Sequence, residues 1–182
     1  MNDKQMVKIS KFMSLVLRHK PDVAGLTLDE NGWVKVSELV KSLKSRGCKV
    51  NLGDIEYIVE NNDKKRFQIV GDKIRASQGH SVDVNLELAP VEPPNLLYHG
   101  TATHNVVSIY KNGINSGTRQ YVHLSVDKET ACKVGSRHGT PYVFIIDSCK
   151  MYKDGVDLYV SENGVWLTKF VDVKYIVGYF LP

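Results

Sequence analysis

The chain has 182 residues, of which 42% are hydrophobic and 24% charged, as is typical of a soluble globular protein with one large or two small domains. No apolar run is long enough to span a membrane, and the first residues, MNDKQMVKIS, lack the apolar segment of a secretory signal, so we expect a cytoplasmic protein. The net charge of +4 permits a nucleic-acid or phosphate partner without requiring one.

Three helices are predicted in the first part of the chain. Apolar residues recur on one helical face from Ile9 to Leu17, and Pro21 ends this helix because the residue before a proline is pushed out of the helical region. A turn in DENG leads through a short extended stretch into a second helix, capped by Ser37 and stopped by Gly47. The stretch LGDIEYIVENN predicts the third helix.

The next stretch, KKRFQIVGDKIRASQG, predicts a tight β-hairpin with Gly71 and Asp72 in a two-residue turn. In that register the hairpin has an apolar face, formed by Phe67, Ile69, Ile74 and Ala76. Its other face is polar and carries Arg66, Gln68, Arg75 and Ser77. Three short helices followed by a hairpin are typical of a winged-helix lobe, which we place at residues 1–85.

A proline-rich stretch, LELAPVEPPN, predicts a linker at residues 86–95. Beyond it, short runs of β-branched and aromatic residues predict strands at LLYHGT, YVHLS, YVFIIDS, DLYVSEN, GVWLT and YIVGYFL. Two helices are predicted at THNVVSIYKNG and DKETACKVGSRHG. Residues 96–182 should therefore form a mixed, mostly antiparallel sheet with helices, which makes the whole chain an α+β protein.

No general catalytic or nucleotide-binding motif occurs in the chain. The three cysteines are far apart and the histidines show no H-E-x-x-H pattern, so we expect no metal site. His99 and His123 stand out because each lies in an apolar strand, although such a histidine is more often structural than catalytic. Gly100 favours a ligand site beside His99, since a residue without Cβ lets a ligand approach the backbone.

Several motifs together resemble the RNA 2′-phosphotransferase (tRNA 2′-phosphotransferase) family. They are FMSLVLRHKP, DENGWVKVSELV, KKRF, IRASQGHS, YHGT, RQYVHLS and ENGVWLT, in the family's order, and they extend from about residue 8 to the C-terminus. The resemblance implies an N-terminal winged-helix lobe and a C-terminal ADP-ribosyltransferase lobe with a crevice between them. It also implies an enzyme that uses NAD⁺ to remove an internal 2′-phosphate from RNA such as tRNA.

The reaction implied by this resemblance has two steps. An oxygen of the RNA 2′-phosphate first displaces nicotinamide from NAD⁺, which gives RNA joined through phosphate to ADP-ribose. The 2″-hydroxyl of that ADP-ribose then attacks phosphorus and releases dephosphorylated RNA and ADP-ribose 1″,2″-cyclic phosphate. NAD⁺ is consumed as a cosubstrate, and no metal is required.

Matched motif by motif, the family's essential phosphate-binding set falls on Arg18, His19, Arg66 and Arg119. Arginine suits a phosphate-binding site because its planar guanidinium binds phosphate oxygens bidentately and stays protonated. Two roles remain open for His19: general acid on the leaving RNA oxygen, or hydrogen-bond donor to the phosphate. Two further RNA-binding candidates are Arg75, for a backbone contact, and His80, in a positioning role.

For NAD⁺, the pattern of the wider superfamily falls on His99, Gly100, Thr101, His123 and Ser125. It implies that His99 binds the adenosine ribose and that the backbone of Gly100 holds the nicotinamide amide. Many ADP-ribosyltransferases carry a glutamate on a third strand, where this chain has a hydrophobic residue, Val165. The difference points away from ADP-ribosylation of proteins.

Two other functions stay open. One is an ADP-ribosyltransferase that caps nucleic-acid phosphate ends without completing the second step. The other is a non-catalytic winged-helix nucleic-acid-binding regulator, which the weakly basic run KVSELVKSLKSRGCKVN disfavours. We expect a monomer, and we interpret Trp33 and Trp166 as core residues rather than base-stacking platforms.

Overall fold

The computed structural model describes residues 2–182 and divides into two compact units. The first unit ends at Glu87, and the second comprises Leu88–Pro182. Both units combine helices with antiparallel strands, which confirms the α+β class. Within the described residues, every helix is too short or too polar to cross a membrane.

The first unit contains three α-helices: α1 (Asp3–Arg18), α2 (Val36–Ser45) and α3 (Leu52–Glu60). α1 ends at its C-cap residue His19, ahead of Pro21, as the sequence predicts. The prediction that Ser37 caps α2 is wrong. α2 begins at Val36 without a side-chain cap, because the Val36 N–H donates to the carbonyl of Asp72 at 2.8 Å.

The predicted hairpin is confirmed. β2 (Phe67–Val70) and β3 (Lys73–Ala76) pair across Gly71 and Asp72, and a short strand, β1 (Val34–Lys35), pairs with β3. The register sets Phe67 opposite Ala76 and Ile69 opposite Ile74, so that the apolar face packs on the core of the helices. Gln68 lies opposite Arg75 on the polar face.

Eight strands form the sheets of the second unit: β4 (Leu96–Ala102), β5 (Ile114–Asn115), β6 (Val122–Leu124), β7 (Pro141–Asp147), β8 (Tyr159–Val160), β9 (Trp166–Thr168), β10 (Phe170–Val171) and β11 (Ile176–Phe180). All their pairings are antiparallel, with the strand orders β11-β7-β4, β6-β9-β8 and β10-β5. The first two sheets meet where Tyr98 bridges to Ser125.

The helices of the second unit are α4 (Val106–Asn112), α5 (Lys128–Gly135) and α6 (Ser148–Lys153). α4 and α5 agree with the two predicted helices. α6 is an addition to the prediction, as are the two-residue strands β5 and β10. A six-residue helix covers fewer than two turns, so it shows no helical periodicity in sequence.

The end of the segment predicted as a linker is bonded to the second unit. The Val91 N–H donates to the carbonyl of Leu158 at 2.8 Å, and the Ser148 hydroxyl donates to the carbonyl of Pro94 at 2.5 Å. These bonds satisfy backbone groups that the prolines of this segment leave without a regular strand partner.

Candidate active site

Arg18 and His19 lie at the C-terminal end of α1, and both are half-buried. The loop after β3 crosses this helix end: the N–H groups of Ser81 and Val82 donate to the carbonyl of Arg18 at 2.9 and 3.3 Å. The Ser81 hydroxyl also lies 2.9 Å from Nδ1 of His19. These bonds hold the loop against the helix end that carries both side chains, and such preorganisation suits an anion site.

Arg66 lies just before β2, beside Arg18. Its N–H donates to the side chain of Asn62 at 3.3 Å, and the preceding residue, Lys65, has a left-handed backbone with φ of 41°. One guanidinium nitrogen of Arg18 donates to the carbonyl of Arg66 at 3.4 Å. The structure therefore brings together Arg18, His19 and Arg66, although 48 residues separate the two arginines.

Arg75 is held on the polar face of the hairpin by three contacts. Its guanidinium lies 4.4 Å from the ring centroid of Trp33, and it donates to the Gln68 side chain and the Asn31 carbonyl, both at 3.3 Å. The interpretation of Trp33 as a core residue is wrong, because its ring is only half-buried and supports Arg75. Trp166 does pack against the core of the second unit.

His80 is buried, with 1% of its surface exposed. Neither of its ring nitrogens has a hydrogen-bond partner among the described residues. Burial lowers the pKa of its imidazole to about 4, with smaller contributions from the charges of Arg18, Arg75 and His19. His80 is therefore neutral at pH 7, and its burial agrees better with positioning than with direct contact to a large substrate.

In the second unit, Arg119, His123 and His99 form a hydrogen-bonded series. The Arg119 guanidinium donates to Nδ1 of His123 at 2.9 Å. His99 in turn donates from Nδ1 to the backbone carbonyl of His123 at 3.0 Å. Because a carbonyl only accepts, the proton of a neutral His99 is on Nδ1, and its Nε2 is a hydrogen-bond acceptor.

The charge states follow from the surroundings of these side chains. Burial lowers the pKa of His99 below its usual value, and the hydrogen bond to His123 only partly opposes this shift, so His99 is neutral at pH 7. Burial also lowers the pKa of Arg119, and the nearby charge of Arg137 adds to this effect. A guanidinium still keeps its proton in a protein, so Arg119 can bind an anion.

Gly100 has a packing role in the structure. A Cβ at this position would lie 1.7 Å from the carbonyl oxygen of Ala131, so the missing side chain makes room for α5 rather than for a ligand on that side. Gly135 is the counterpart on the helix, since a Cβ there would lie 2.6 Å from the carbonyl oxygen of Thr101. A ligand can therefore contact Gly100 only through its backbone groups.

The remaining predicted residues lie in the same unit. The Thr101 side chain is buried and accepts a hydrogen bond from Asn105 at 3.1 Å. The backbone of Ser125 exchanges two hydrogen bonds with that of Tyr98, at 2.7 and 2.9 Å. The N–H of Ser161 donates to the carbonyl of Val165, which lies just before β9.

Sequence reasoning missed two residues at these positions. Ser81 binds His19, and its place in the IRASQGHS motif was the available signal. Arg137 lies close enough to Arg119 to lower its pKa, but it follows α5 in a stretch without any motif. The four phosphate-binding candidates are thus divided, with Arg18, His19 and Arg66 in the first unit and Arg119 in the second.

The chain is similar to known proteins over nearly its whole length. Residues 4–170 match the family described as "RNA 2'-phosphotransferase, Tpt1 / KptA family". The chain is 53% identical over 178 residues to a protein of Flavobacterium johnsoniae, covering 97% of this chain and 98% of that protein. It is 49% identical over 176 residues to a protein of Hahella chejuensis (96% and 95% covered). A protein of Streptomyces coelicolor is 44% identical over 176 residues (97% and 97% covered).

All three relatives carry the name "Probable RNA 2'-phosphotransferase". The family profile and the relatives both cover nearly the whole chain, so the likeness does not depend on one motif or one domain. The chain therefore belongs to the RNA 2′-phosphotransferase family.

Proposed function

We propose that the protein is an NAD⁺-dependent RNA 2′-phosphotransferase. The family match over residues 4–170 is the observation that carries this proposal, because it covers both units and every candidate residue. The family name supports removal of a 2′-phosphate from RNA. The use of NAD⁺ and the reaction intermediate are our proposals, and they depend on the chemistry of the residues described above.

The element order supports a winged-helix assignment for the first unit and an ADP-ribosyltransferase assignment for the second. In the first unit, the order α1-β1-α2-α3-β2-β3 with β1 paired to β3 is that of a winged helix. In the second, β4 bears His99 and lies at the edge of its sheet. We propose that this edge faces the nicotinamide amide, since backbone groups beyond Tyr98 have no strand partner there among residues 2–182.

We assign the 2′-phosphate of RNA to Arg18, His19, Arg66 and Arg119. A phosphate monoester carries nearly two negative charges at pH 7, and guanidinium groups held in place bind such an anion strongly. The hydrogen bonds at the end of α1 hold Arg18 and His19 before substrate arrives. Positioned donors of this kind stabilise the charge that develops during phosphoryl transfer.

His19 has two candidate roles. Its Nδ1 lies 2.9 Å from the Ser81 hydroxyl, so we assign Nε2 to the phosphate. In one role Nε2–H donates a hydrogen bond to a phosphate oxygen throughout the reaction. In the other it gives its proton to the leaving 2′-oxygen of RNA in the second step. A His19→Gln variant separates them, because glutamine can donate a hydrogen bond but cannot protonate a leaving group.

The residues assigned to NAD⁺ in the second unit have the hydrogen-bonding groups that this molecule needs. The neutral His99 offers Nε2 as an acceptor, which suits a ribose hydroxyl, because that group can donate. We assign the amide of the nicotinamide to the backbone of Gly100, and the nicotinamide-ribose end to His123 and Ser125. Thr101 is buried beside them and supports this part of β4.

In the proposed reaction, an oxygen of the RNA 2′-phosphate forms a bond to the anomeric carbon of the nicotinamide ribose, and the bond to nicotinamide breaks. The 2″-hydroxyl then attacks phosphorus and loses its proton. The bond from phosphorus to the RNA 2′-oxygen breaks, and that oxygen takes up a proton. The products are nicotinamide, RNA with a 2′-hydroxyl, and ADP-ribose 1″,2″-cyclic phosphate.

An assay of purified protein with NAD⁺ and an oligoribonucleotide bearing one internal 2′-phosphate tests the proposal. The expected products are nicotinamide and dephosphorylated RNA in equal amounts, with no reaction of the same RNA lacking the 2′-phosphate. ADP-ribosylated RNA as the end product would indicate an enzyme that caps phosphates instead. Binding of nucleic acid without nicotinamide release would indicate a non-catalytic regulator, and either result overturns the proposal.

A further inference from the structure

A cluster of aromatic and cationic side chains continues from the Arg119–His123 pair along the second unit. It consists of Tyr121, Tyr159 and Lys169, which we call the aromatic patch. None of the sequence motifs assigned to phosphate or NAD⁺ includes Tyr159 or Lys169. The patch is therefore a feature of the structure that the proposed reaction has not yet used.

The strand register places the aromatic patch on the same sheet face as His123. His123 lies opposite Leu167 in β9, and Leu167 lies opposite Tyr159 in β8. Paired residues share a face, as do residues two apart along a strand. Tyr121 precedes His123 by two residues and Lys169 follows Leu167 by two, so these side chains lie on one face.

Contacts within the patch fix its shape. The rings of Tyr121 and Tyr159 meet nearly at right angles, with centroids 5.7 Å apart. The ammonium of Lys169 lies 4.0 Å from the centroid of the Tyr121 ring. Both tyrosines are half-buried, whereas Leu167 on the same face is completely buried. The patch is thus an ordered surface with aromatic area left accessible.

The charge of Lys169 is available to a ligand. The side chain is exposed, and within residues 2–182 no carboxylate lies within 4.0 Å of its ammonium. A cation over an aromatic ring at an exposed site gains only about 0.5–1 kcal/mol. The ammonium can therefore turn towards a phosphate without giving up a strong partner.

An open cavity adjoins the patch. Its volume is about 420 Å³, and its lining includes Tyr159, Lys169, Phe170 and Asp157. This volume lies within the range of sites that hold small organic ligands, roughly 300–1,000 Å³. The aromatic rings suit the flat face of a nucleobase, and the Asp157 carboxylate can accept a hydrogen bond from a base amino group.

We propose that the aromatic patch binds one nucleotide of the RNA substrate next to the 2′-phosphate, with its base against the tyrosines and its backbone phosphate at Lys169. The inference rests on the proposed function. RNA is the occupant because the patch adjoins Arg119, which we assign to the RNA phosphate. Stacking on aromatic side chains is how proteins hold unpaired RNA bases, and it tolerates any base.

Binding and kinetics of four variants test this inference. Tyr121→Ala and Lys169→Ala remove the stacking ring and the cation, whereas Tyr121→Phe keeps the ring. Tyr152→Ala is a matched control, since Tyr152 is an exposed tyrosine of the same unit on α6. Fluorescence anisotropy measures the Kd of a labelled hexaribonucleotide with an internal 2′-phosphate, and nicotinamide release gives the KM values of this RNA and of NAD⁺.

We expect Tyr121→Ala and Lys169→Ala to raise the Kd and KM of the hexaribonucleotide by on the order of tenfold. The KM of NAD⁺ should stay unchanged, Tyr152→Ala should behave like the parent, and Tyr121→Phe, which keeps the ring, should bind the RNA more tightly than Tyr121→Ala. Thermal unfolding of each variant checks that it is folded.

Two results would overturn the inference: an unchanged Kd for the RNA in both patch variants, or a rise in the KM of NAD⁺ in place of that of RNA. The second result would assign the patch to the adenine of NAD⁺. If the parent binds the RNA but releases no nicotinamide, the proposed function fails, while the anisotropy still decides whether the patch binds RNA.

Discussion

The backbone carbonyl of His123 determines which nitrogen of His99 can accept a hydrogen bond. It receives the proton of Nδ1, so Nε2 of the neutral ring becomes the acceptor that a ribose hydroxyl needs. The side chain of the same residue accepts from Arg119. His123 thus links a residue assigned to the RNA phosphate, through its side chain, with one assigned to NAD⁺, through its backbone carbonyl.

Replacement of Arg18 tests the phosphate site at the level of one side chain. We expect Arg18→Ala to slow release of the cyclic phosphate by about a hundredfold to a thousandfold, because it removes a preorganised charged donor. ADP-ribosylated RNA should accumulate if Arg18 acts mainly in the second step. Single-turnover analysis of the RNA products measures both effects.

Arg46→Ala is the matched control, since Arg46 is also an arginine at the C-terminal end of a helix in the first unit. It stacks on Phe12 and has no assigned role in the reaction. An Arg18→Ala variant that is no slower than Arg46→Ala would refute the assignment of Arg18.

His80 should make the stability of the protein depend on pH. Its pKa is about 4 in the folded protein, against about 6.5 in an unfolded chain, so the unfolded state binds the proton more tightly. The contribution of neutral His80 to the free energy of unfolding is fully present above pH 6.5 and is lost as the pH drops towards 4. The loss between pH 7 and 4.5 should be roughly 2–3 kcal/mol.

Urea unfolding of the parent and of His80→Gln at both pH values measures this effect. Glutamine does not titrate, so the variant should lack this part of the pH dependence, whereas His138→Gln, at an exposed histidine, should retain it. Equal pH dependence in the parent and His80→Gln would show that His80 does not titrate as described.

At the scale of elements, the backbones of β4 and α5 approach each other closely through Gly100 and Gly135. Each glycine makes room for a carbonyl oxygen of the other element. Sequence could not show this, because the two elements are about thirty residues apart and a single glycine gives no information about its distant neighbour. The same contact fixes the position of His99, which directly precedes Gly100.

Gly100→Ala separates a packing role from a ligand role. The added Cβ would overlap the carbonyl oxygen of Ala131, and we expect a loss of about 2–3 kcal/mol of stability. This should appear as a fall of roughly 5–10 °C in Tm. Gly53→Ala serves as control, since the nearest atom to a Cβ there would be the side-chain oxygen of Asn51, at 3.4 Å. Normal stability with poor NAD⁺ binding would contradict the packing role.

Elements with strong local signals were predictable. Pro21 ended α1, and the Gly71–Asp72 turn fixed the hairpin register, because each acts through its own backbone geometry. The cap of α2 was mispredicted since Ser37 is a good capping residue, yet the hydrogen bond from Val36 to Asp72 starts the helix earlier. Such a bond depends on tertiary contacts that a sequence pattern does not contain.

The whole molecule has two separate hydrophobic cores, one in each unit. The core of the first unit extends from Ile9 to Ala76, and that of the second from Leu97 to Tyr175. The identities of the phosphate-binding candidates came from motifs spread over both units. The motifs do not show which of these residues lie together, since neither the contact of Arg18 with Arg66 nor the burial of His80 follows from spacing in the chain.

A self-contained core predicts that residues 1–87 fold without the rest of the chain. This fragment should show the circular dichroism of a helical protein and a cooperative unfolding transition in urea. It should release no nicotinamide, because it lacks His99, His123 and Arg119. A fragment without cooperative unfolding would show that the second unit is needed for the fold of the first.

The fate of the 2′-phosphate distinguishes its transfer to ADP-ribose from simple hydrolysis and from no reaction. An oligoribonucleotide with a single ³²P-labelled internal 2′-phosphate is incubated with the protein and NAD⁺, and the labelled products are separated. We expect the label to leave the RNA and to appear in ADP-ribose 1″,2″-cyclic phosphate. Label found as inorganic phosphate, or kept in the RNA with NAD⁺ unconsumed, would contradict the proposed reaction.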